Sequence, residues 1–270
     1  MGRWSSARAG LPRRRGAQPL GTAVPRWSLV CCAVLVAACG GASGASPASG
    51  SGAPSSAAHP VMDPLATCVT PEEQAAAGVA IQGAGGTEVD ALVRGSGTAG
   101  IVFANMSDND PCGWLPTAGE FAAKGYRTAV FLYSGRQGAD ADVLDVVAEL
   151  RRRGSSRIVL VGASKGGTAA LTAAGRAQAV AVAELSAPSL FEGMDAGAAV
   201  PSLRVPTWFA VGEQDEDFVQ SAHDLYAASA STAKHLEVVA SASHGTGLLP
   251  DGGVSGMIGQ FVARTAPAAG

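Results

Sequence analysis

The stretch Ile158-Val159-Leu160-Val161-Gly162-Ala163-Ser164-Lys165-Gly166-Gly167 decides how the rest of the chain is read. Its first four residues are apolar and mostly β-branched, which predicts a buried strand. The following Thr168-Ala169-Ala170-Leu171-Thr172-Ala173-Ala174 predicts a helix. Between them stands Gly-x-Ser-x-Gly. In that setting the pattern describes a tight strand-to-helix turn whose glycines admit neighbouring backbone and whose serine hydroxyl is lifted to the C-terminal edge of a sheet. Ser164 also falls at a helix N-terminus, where free N–H groups favour developing negative charge. Ser164 is therefore the candidate nucleophile. A chain with 36 glycines also produces such spacing by chance, around a bystander serine, so the partners of Ser164 must decide the matter.

Working outward, strands and helices alternate. Thr70-Pro71-Glu72-Glu73 opens a short helix with a capping box, the proline at its first turn. Gly78 to Ile81 and Thr87 to Val93 read as strands entering a sheet antiparallel, and Gly100 to Ala104 as a central buried one. After the polar loop Asn105 to Asp110, Leu115 to Lys124 is helical and Arg127 to Tyr133 a strand. Asp140 to Arg153 is an amphipathic helix with Val143, Leu144, Val147 and Leu150 at core spacing. Beyond Ser164 come strands at Ala179 to Leu185, Val205 to Val211 and His235 to Ala240. Helices are expected at Asp217 to Ser229 and Val254 to Arg264. Such alternation predicts an α/β domain with a mostly parallel sheet covered on both faces.

A serine hydroxyl needs a base within hydrogen-bond reach, and that base needs a carboxylate to hold it. Only four histidines exist. His59 lies in a polar tether, His223 mid-helix and His235 at a strand start, whereas His244 follows the last strand in Ser243-His244-Gly245-Thr246-Gly247. Functional loops collect at the C-terminal edge of parallel strands, which makes His244 the candidate base. Val211-Gly212-Glu213-Gln214-Asp215 leaves its strand the same way and makes Asp215 the candidate carboxylate. Glu216 and Asp217 are rivals whose plainer role is to favour the N-terminus of the next helix.

The order Ser164, Asp215, His244, each at a strand end, resembles the α/β-hydrolase superfamily over roughly Ala66 to Arg264. The resemblance implies an α/β-hydrolase fold and an oxyanion hole made by backbone N–H groups. One donor is Lys165, immediately after the nucleophile; the other, by alignment on the third strand, is Ser107, with Met106 as the alternative. Where many members carry His-Gly, this chain reads Asn105-Met106, a departure that bears on the loop's geometry. Only Ser186 to Leu203 separates two successive strands where members with large lids insert more, so little or no lid is expected beyond Leu190, Phe191 and Met194.

Ahead of this domain, Arg3, Arg8, Arg13-Arg14-Arg15 and Arg26 precede the apolar run Trp27 to Ala38, too short to span a membrane and arranged like a secretory signal over residues 1–38. Val36-Ala37-Ala38-Cys39 resembles the lipobox of bacterial lipoproteins, which would make Cys39 the lipidated first residue of the exported chain. An ordinary signal peptide cleaved near Ala38 or Ala45, and a translation start later than Met1, stay open. Residues 39–60 are almost wholly Gly, Ala, Ser and Pro and read as a tether, leaving 61–270 as the hydrolase domain. Cys68 and Cys112 remain as the domain's cysteine pair. In an oxidising compartment they are expected as a disulfide, against the alternative of two free thiols.

The formal net charge of −3, with no basic stripe beyond the first residues, gives no support to nucleic-acid binding. No dinucleotide fingerprint or metal-ligand spacing occurs, so no cofactor and no metal is expected. The expected activity is serine hydrolysis of small-molecule or lipid carboxylic esters at the outer face of a bacterial membrane or in the secreted state. Thioester, amide and lactone bonds are the other substrates, and a catalytically idle cell-surface binding protein is the alternative from another class. Oligomeric state is not legible.

Overall fold

The computed structural model describes residues 68–268. The expected signal sequence, Cys39 and the 39–60 tether with His59 lie outside the described residues.

Helix α1 (Pro71–Ala77) carries the expected capping box: Thr70 accepts from the Glu73 N–H while the Glu73 carboxylate accepts from the Thr70 N–H. Strands β1 (Gly78–Gln82) and β2 (Glu88–Arg94) pair antiparallel, and β2 runs antiparallel to β4 (Arg127–Phe131). The other pairs of this sheet are parallel, involving β3 (Ala99–Ala104), β4, β5 (Arg157–Ala163), β6 (Ala181–Leu185), β9 (Thr207–Gly212) and β10 (Lys234–Val239). The sheet order is β1-β2-β4-β3-β5-β6-β9-β10. Between β6 and β9 in the chain, β7 (Leu190–Phe191) and β8 (Met194–Asp195) form an antiparallel hairpin that is a separate small sheet.

Helices α2 (Leu115–Ala123) and α7 (Val254–Thr265) pack on one face of the sheet, where Phe103, Trp114, Phe121, Val161, Ile258 and Val262 form one core. On the other face α3 (Ala139–Arg152), α4 (Lys165–Ala173), α5 (Ala196–Ala199) and α6 (Glu216–Ala228) cover a second core with Phe131, Leu150, Leu160, Leu171, Phe209 and Leu225. Strand β5 is buried on both faces from Ile158 onward, which is why its sequence is a continuous apolar run rather than an alternating one. Each such Val, Leu or Ile side chain contributes about 1.5–3 kcal/mol of burial free energy.

Chain order reverses at β3. The connection through α2 leads to β4 on one side of β3, and the connection through α3 brings β5 to the other. Loops leaving β3 and β5 therefore diverge at the C-terminal edge of the sheet, the place where open α/β sheets hold ligands. Asn105 to Asp110 and the Ser164 turn are the two loops concerned.

Two local expectations shift. Helix α4 starts at Lys165 rather than Thr168, because Gly166 and Gly167 are drawn into its first turn by packing that their weak helix propensity opposes. The segment from Ser186 to Leu203 is short but ordered: β7 and β8 turn at Glu192 and Gly193, both with positive φ (46° and 83°), and α5 follows directly. Cys68 and Cys112 form the expected disulfide.

Candidate active site

Ser164 occupies the turn between β5 and α4 with φ 51° and ψ −120°. A non-glycine residue rarely adopts such a conformation, and it persists only where its surroundings over-determine it. They do so here through the flanking glycines. A Cβ on Gly162 would collide with the Gly166 carbonyl, and one on Gly166 would collide with the carbonyls of Ala104 and Asn105. The Ser164 N–H donates to the Leu185 carbonyl at 2.8 Å, fastening the turn to the end of β6. Among the described residues Ser164 Oγ forms no hydrogen bond, and the residue is 6% exposed.

Asp215 and His244 are brought together: His244 Nδ1 and Asp215 Oδ2 lie 2.9 Å apart. Asp215 ends the turn after β9 and is 9% exposed, whereas Glu216 and Asp217 form the first turn of α6, the plainer role open to them. The turns carrying Asp215 and His244 are tied directly, since the N–H groups of Glu213 and Gln214 donate to the carbonyls of Val239 and Ser241 at 2.7 and 3.0 Å. Gly245 adopts φ 55°, and a Cβ there would stand 3.4 Å from Ala163 Cβ, so the histidine loop packs against the serine turn. Its N–H donates to Ser186 Oγ at 3.2 Å. Ser186 thus joins the end of β6, which holds Ser164, to the loop that holds His244. No hydrogen bond joins Ser164 to His244 in this structure, a distance that commonly closes only with substrate present.

The Asn105-Met106 departure has its own support. Asn105 Nδ2 donates to the Phe131 carbonyl, Tyr133 Oη donates to the Asn105 carbonyl at 2.7 Å, and Trp114 Nε1 donates to the Ala104 carbonyl at 3.1 Å. Side chains thereby fix a turn that a His-Gly pair would shape by backbone freedom. Burial raises the Tyr133 phenol well above its ordinary value, with Asp142, Glu192 and Asp108 adding to the effect, so Tyr133 stays a hydrogen-bond donor. Among the described residues, the backbone N–H groups of Met106, Ser107 and Lys165 donate to no other protein group. They are free to stabilise an anion.

The Lys165 side chain turns from the serine to the hairpin. Its Nζ lies 2.8 Å from Glu192 Oε2 and 4.7 Å from the centre of the Tyr133 ring. Leu190, on the same hairpin, is 65% exposed, while Met194 is buried, so the three residues expected as cover divide between surface and core.

Sequence reading missed four contributors. Phe218 packs against the His244 ring with centroids 4.1 Å apart and the rings tilted by 43°; its position three residues after Asp215, one helical turn on, was the available signal. Ser186 sits at a strand's C-terminal end, as the three candidates do. Tyr133 carried no signal, because its contact with Asn105 crosses 28 positions. Glu184 lies fully buried in β6, its Oε2 accepting the Ala187 N–H at 2.8 Å and its Oε1 unpartnered among the described residues. Burial pushes its carboxyl up to about 8, against a smaller opposing effect of that hydrogen bond.

A cleft of about 430 Å³ lined by Trp208, Lys234, His235, Phe261 and Arg264 lies at the starts of β9 and β10, the sheet edge opposite Ser164, and takes no part in this site.

Neither a known sequence family nor a curated relative matches this chain. Solved structures do. An esterase of Pyrococcus furiosus superposes with a TM-score of 0.60 at 14% identity, over 73% of this chain and 95% of that one. The esterase domain of a Rhodothermus marinus protein gives 0.58 at 17%, over 69% and 97%. A Xanthomonas campestris α/β serine hydrolase described as lacking a lid gives 0.56 at 17%, over 72% and 96%. With its parallel sheet, its reversal at β3 and near-complete coverage of these neighbours, the chain has the α/β-hydrolase fold.

Proposed function

We propose that this chain is an exported serine hydrolase that cleaves carboxylic esters through an acyl-enzyme. The observation that carries the reading is the 2.9 Å contact of His244 Nδ1 with Asp215 Oδ2, at the sheet edge where Ser164 is held at φ 51°. Ser164 Oγ attacks the acyl carbon as His244 Nε2 removes its proton, forming the oxygen–carbon bond of a tetrahedral intermediate. His244 then gives that proton to the departing alkoxide, and the alcohol leaves. Water attacks the acyl-enzyme by the same route and releases the acid. Asp215 keeps the proton of His244 on Nδ1 and stabilises the imidazolium. The Lys165 N–H and that of Ser107 or Met106 receive the oxyanion; removing one such donor costs about 10²–10³ in rate. Likeness to structures named as esterases favours esters over amides as the substrate bond.

The lipobox-like Val36-Ala37-Ala38-Cys39 supports anchoring through Cys39 to the outer face of a membrane. The mature chain's mass tests this: an unmodified Cys39, or an N-terminus elsewhere, refutes the anchor.

Hydrolysis of p-nitrophenyl esters from acetyl to long acyl, compared with Ser164→Ala, tests the chemistry together with fluorophosphonate labelling. Turnover and labelling that vanish in the variant are expected. Folded wild-type protein with neither would overturn the hydrolase reading in favour of a binding protein.

A further inference from the structure

The loop between β10 and α7 carries His244 but has no regular structure from Ser241 to His244. Something must hold it, since a base displaced by an ångström from the hydroxyl it deprotonates loses much of its effect. Three of its restraints are already described: the Asp215 contact, the backbone ties to the acid turn and the Gly245–Ser186 bond. A fourth comes from behind. Asp251 Oδ2 accepts hydrogen bonds from Ser241 Oγ at 2.5 Å and Ser243 Oγ at 2.8 Å, and Ser241 Oγ in turn accepts the Ser243 N–H at 2.9 Å. One carboxylate oxygen thus closes a ring around the residues leading into His244. Asp251 is itself fixed from both sides: its N–H donates to the Leu248 carbonyl at 2.9 Å, and its carbonyl accepts the Val254 N–H, also at 2.9 Å, at the start of α7.

We propose that Asp251 is a positioning residue for His244, anchoring the histidine loop to α7 through Ser241 and Ser243. The inference rests on the serine-hydrolase reading above. Asp215 fixes the rotation of the imidazole about its Nδ1 hydrogen bond, and Asp251 fixes the backbone from which the ring projects. The two hydroxyl donors, Ser241 more than Ser243, hold the Asp251 carboxyl below its ordinary range, so it remains an acceptor across the neutral region where hydrolysis runs.

The test compares wild type with Asp251→Ala and with the double variant Ser241→Ala/Ser243→Ala, which removes the same two bonds, and with them the one from the Ser243 N–H to Ser241 Oγ, while leaving the carboxylate in place. Three readouts are taken: kcat and KM on a p-nitrophenyl ester, the rate of fluorophosphonate labelling, and the downfield proton resonance of the His244–Asp215 hydrogen bond. Both variants are expected to lose kcat by about 10- to 100-fold and labelling rate in parallel. KM should stay within about twofold, because no substrate contact is removed. The downfield proton should broaden or disappear. Unchanged kcat in the double variant overturns the proposal, and so does a loss confined to KM. The proton resonance needs no turnover: if wild type neither hydrolyses nor labels, the esterase reading falls, while an unchanged resonance in both variants overturns the role of Asp251 by itself.

Discussion

Replacing Glu184 by glutamine should alter how stability depends on pH, by an amount the structure sets. The Glu184 carboxyl is fully buried and pushed from 4.5 to about 8 by desolvation, with no charged side chain among the causes. In the unfolded chain the same group titrates near its ordinary value. Between these limits the folded protein keeps a proton that the unfolded chain releases, so the stability contributed by this group is complete below pH 4.5 and is lost as pH rises towards 8. From pH 5 to pH 7 the loss works out at about 2–3 kcal/mol, with roughly 1 kcal/mol more by pH 8. Glutamine cannot ionise, and its amide oxygen can still accept the Ala187 N–H. Any packing offset it introduces is the same at each pH and cancels in the comparison. Urea unfolding of wild type and Glu184→Gln at pH 5, 6, 7 and 8 gives the difference curve directly. The wild type should fall relative to the variant by the stated amount, with the steepest loss between pH 5 and pH 7 and a shallower one on approaching pH 8. A flat difference curve would refute the reasoning and mean that Glu184 ionises as freely in the fold as outside it.

Two further outcomes follow from the geometry. Gly166→Ala must push its new methyl group against the carbonyls of Ala104 and Asn105; it should cost roughly 1–3 kcal/mol in chemical denaturation and depress fluorophosphonate labelling by displacing the loop that carries the proposed oxyanion donors. Breaking the Cys68–Cys112 bond, which spans 44 positions, should lower stability by about 4 kcal/mol, measured by urea unfolding of Cys68→Ser/Cys112→Ser beside wild type.

Local patterns carried much of the architecture. Continuous apolar runs at residues 100–104 and 158–161 announce strands buried on both faces, because helices cover a parallel sheet on each side. The capping box at Thr70 to Glu73 is a bond between neighbours and is legible for that reason. Ser164, Asp215 and His244 stood out because each follows a strand, and parallel strands deliver such positions to one edge whatever the lateral order. Where α4 begins was not legible. Gly166 and Gly167 read as turn residues by propensity, yet the approach of the Ala104 and Asn105 carbonyls demands glycine inside a helix.

The sequence by itself determined the alternation of strands and helices, the glycine-flanked serine, and the chain order of serine, acid and histidine. All of these are properties of near neighbours or of order along the chain. Tertiary structure alone decided the lateral strand order with its reversal at β3, the fastening of the Asn105 turn by Tyr133 and Trp114, the packing of Phe218 against His244 and the isolation of Glu184. Apart from the Asn105–Trp114 neighbourhood, these joins cross tens of positions, and a residue's burial and partner there depend on which strands lie side by side. That choice is made by the packing of two whole faces of the sheet, and it leaves no periodicity within any single segment from which it could be read.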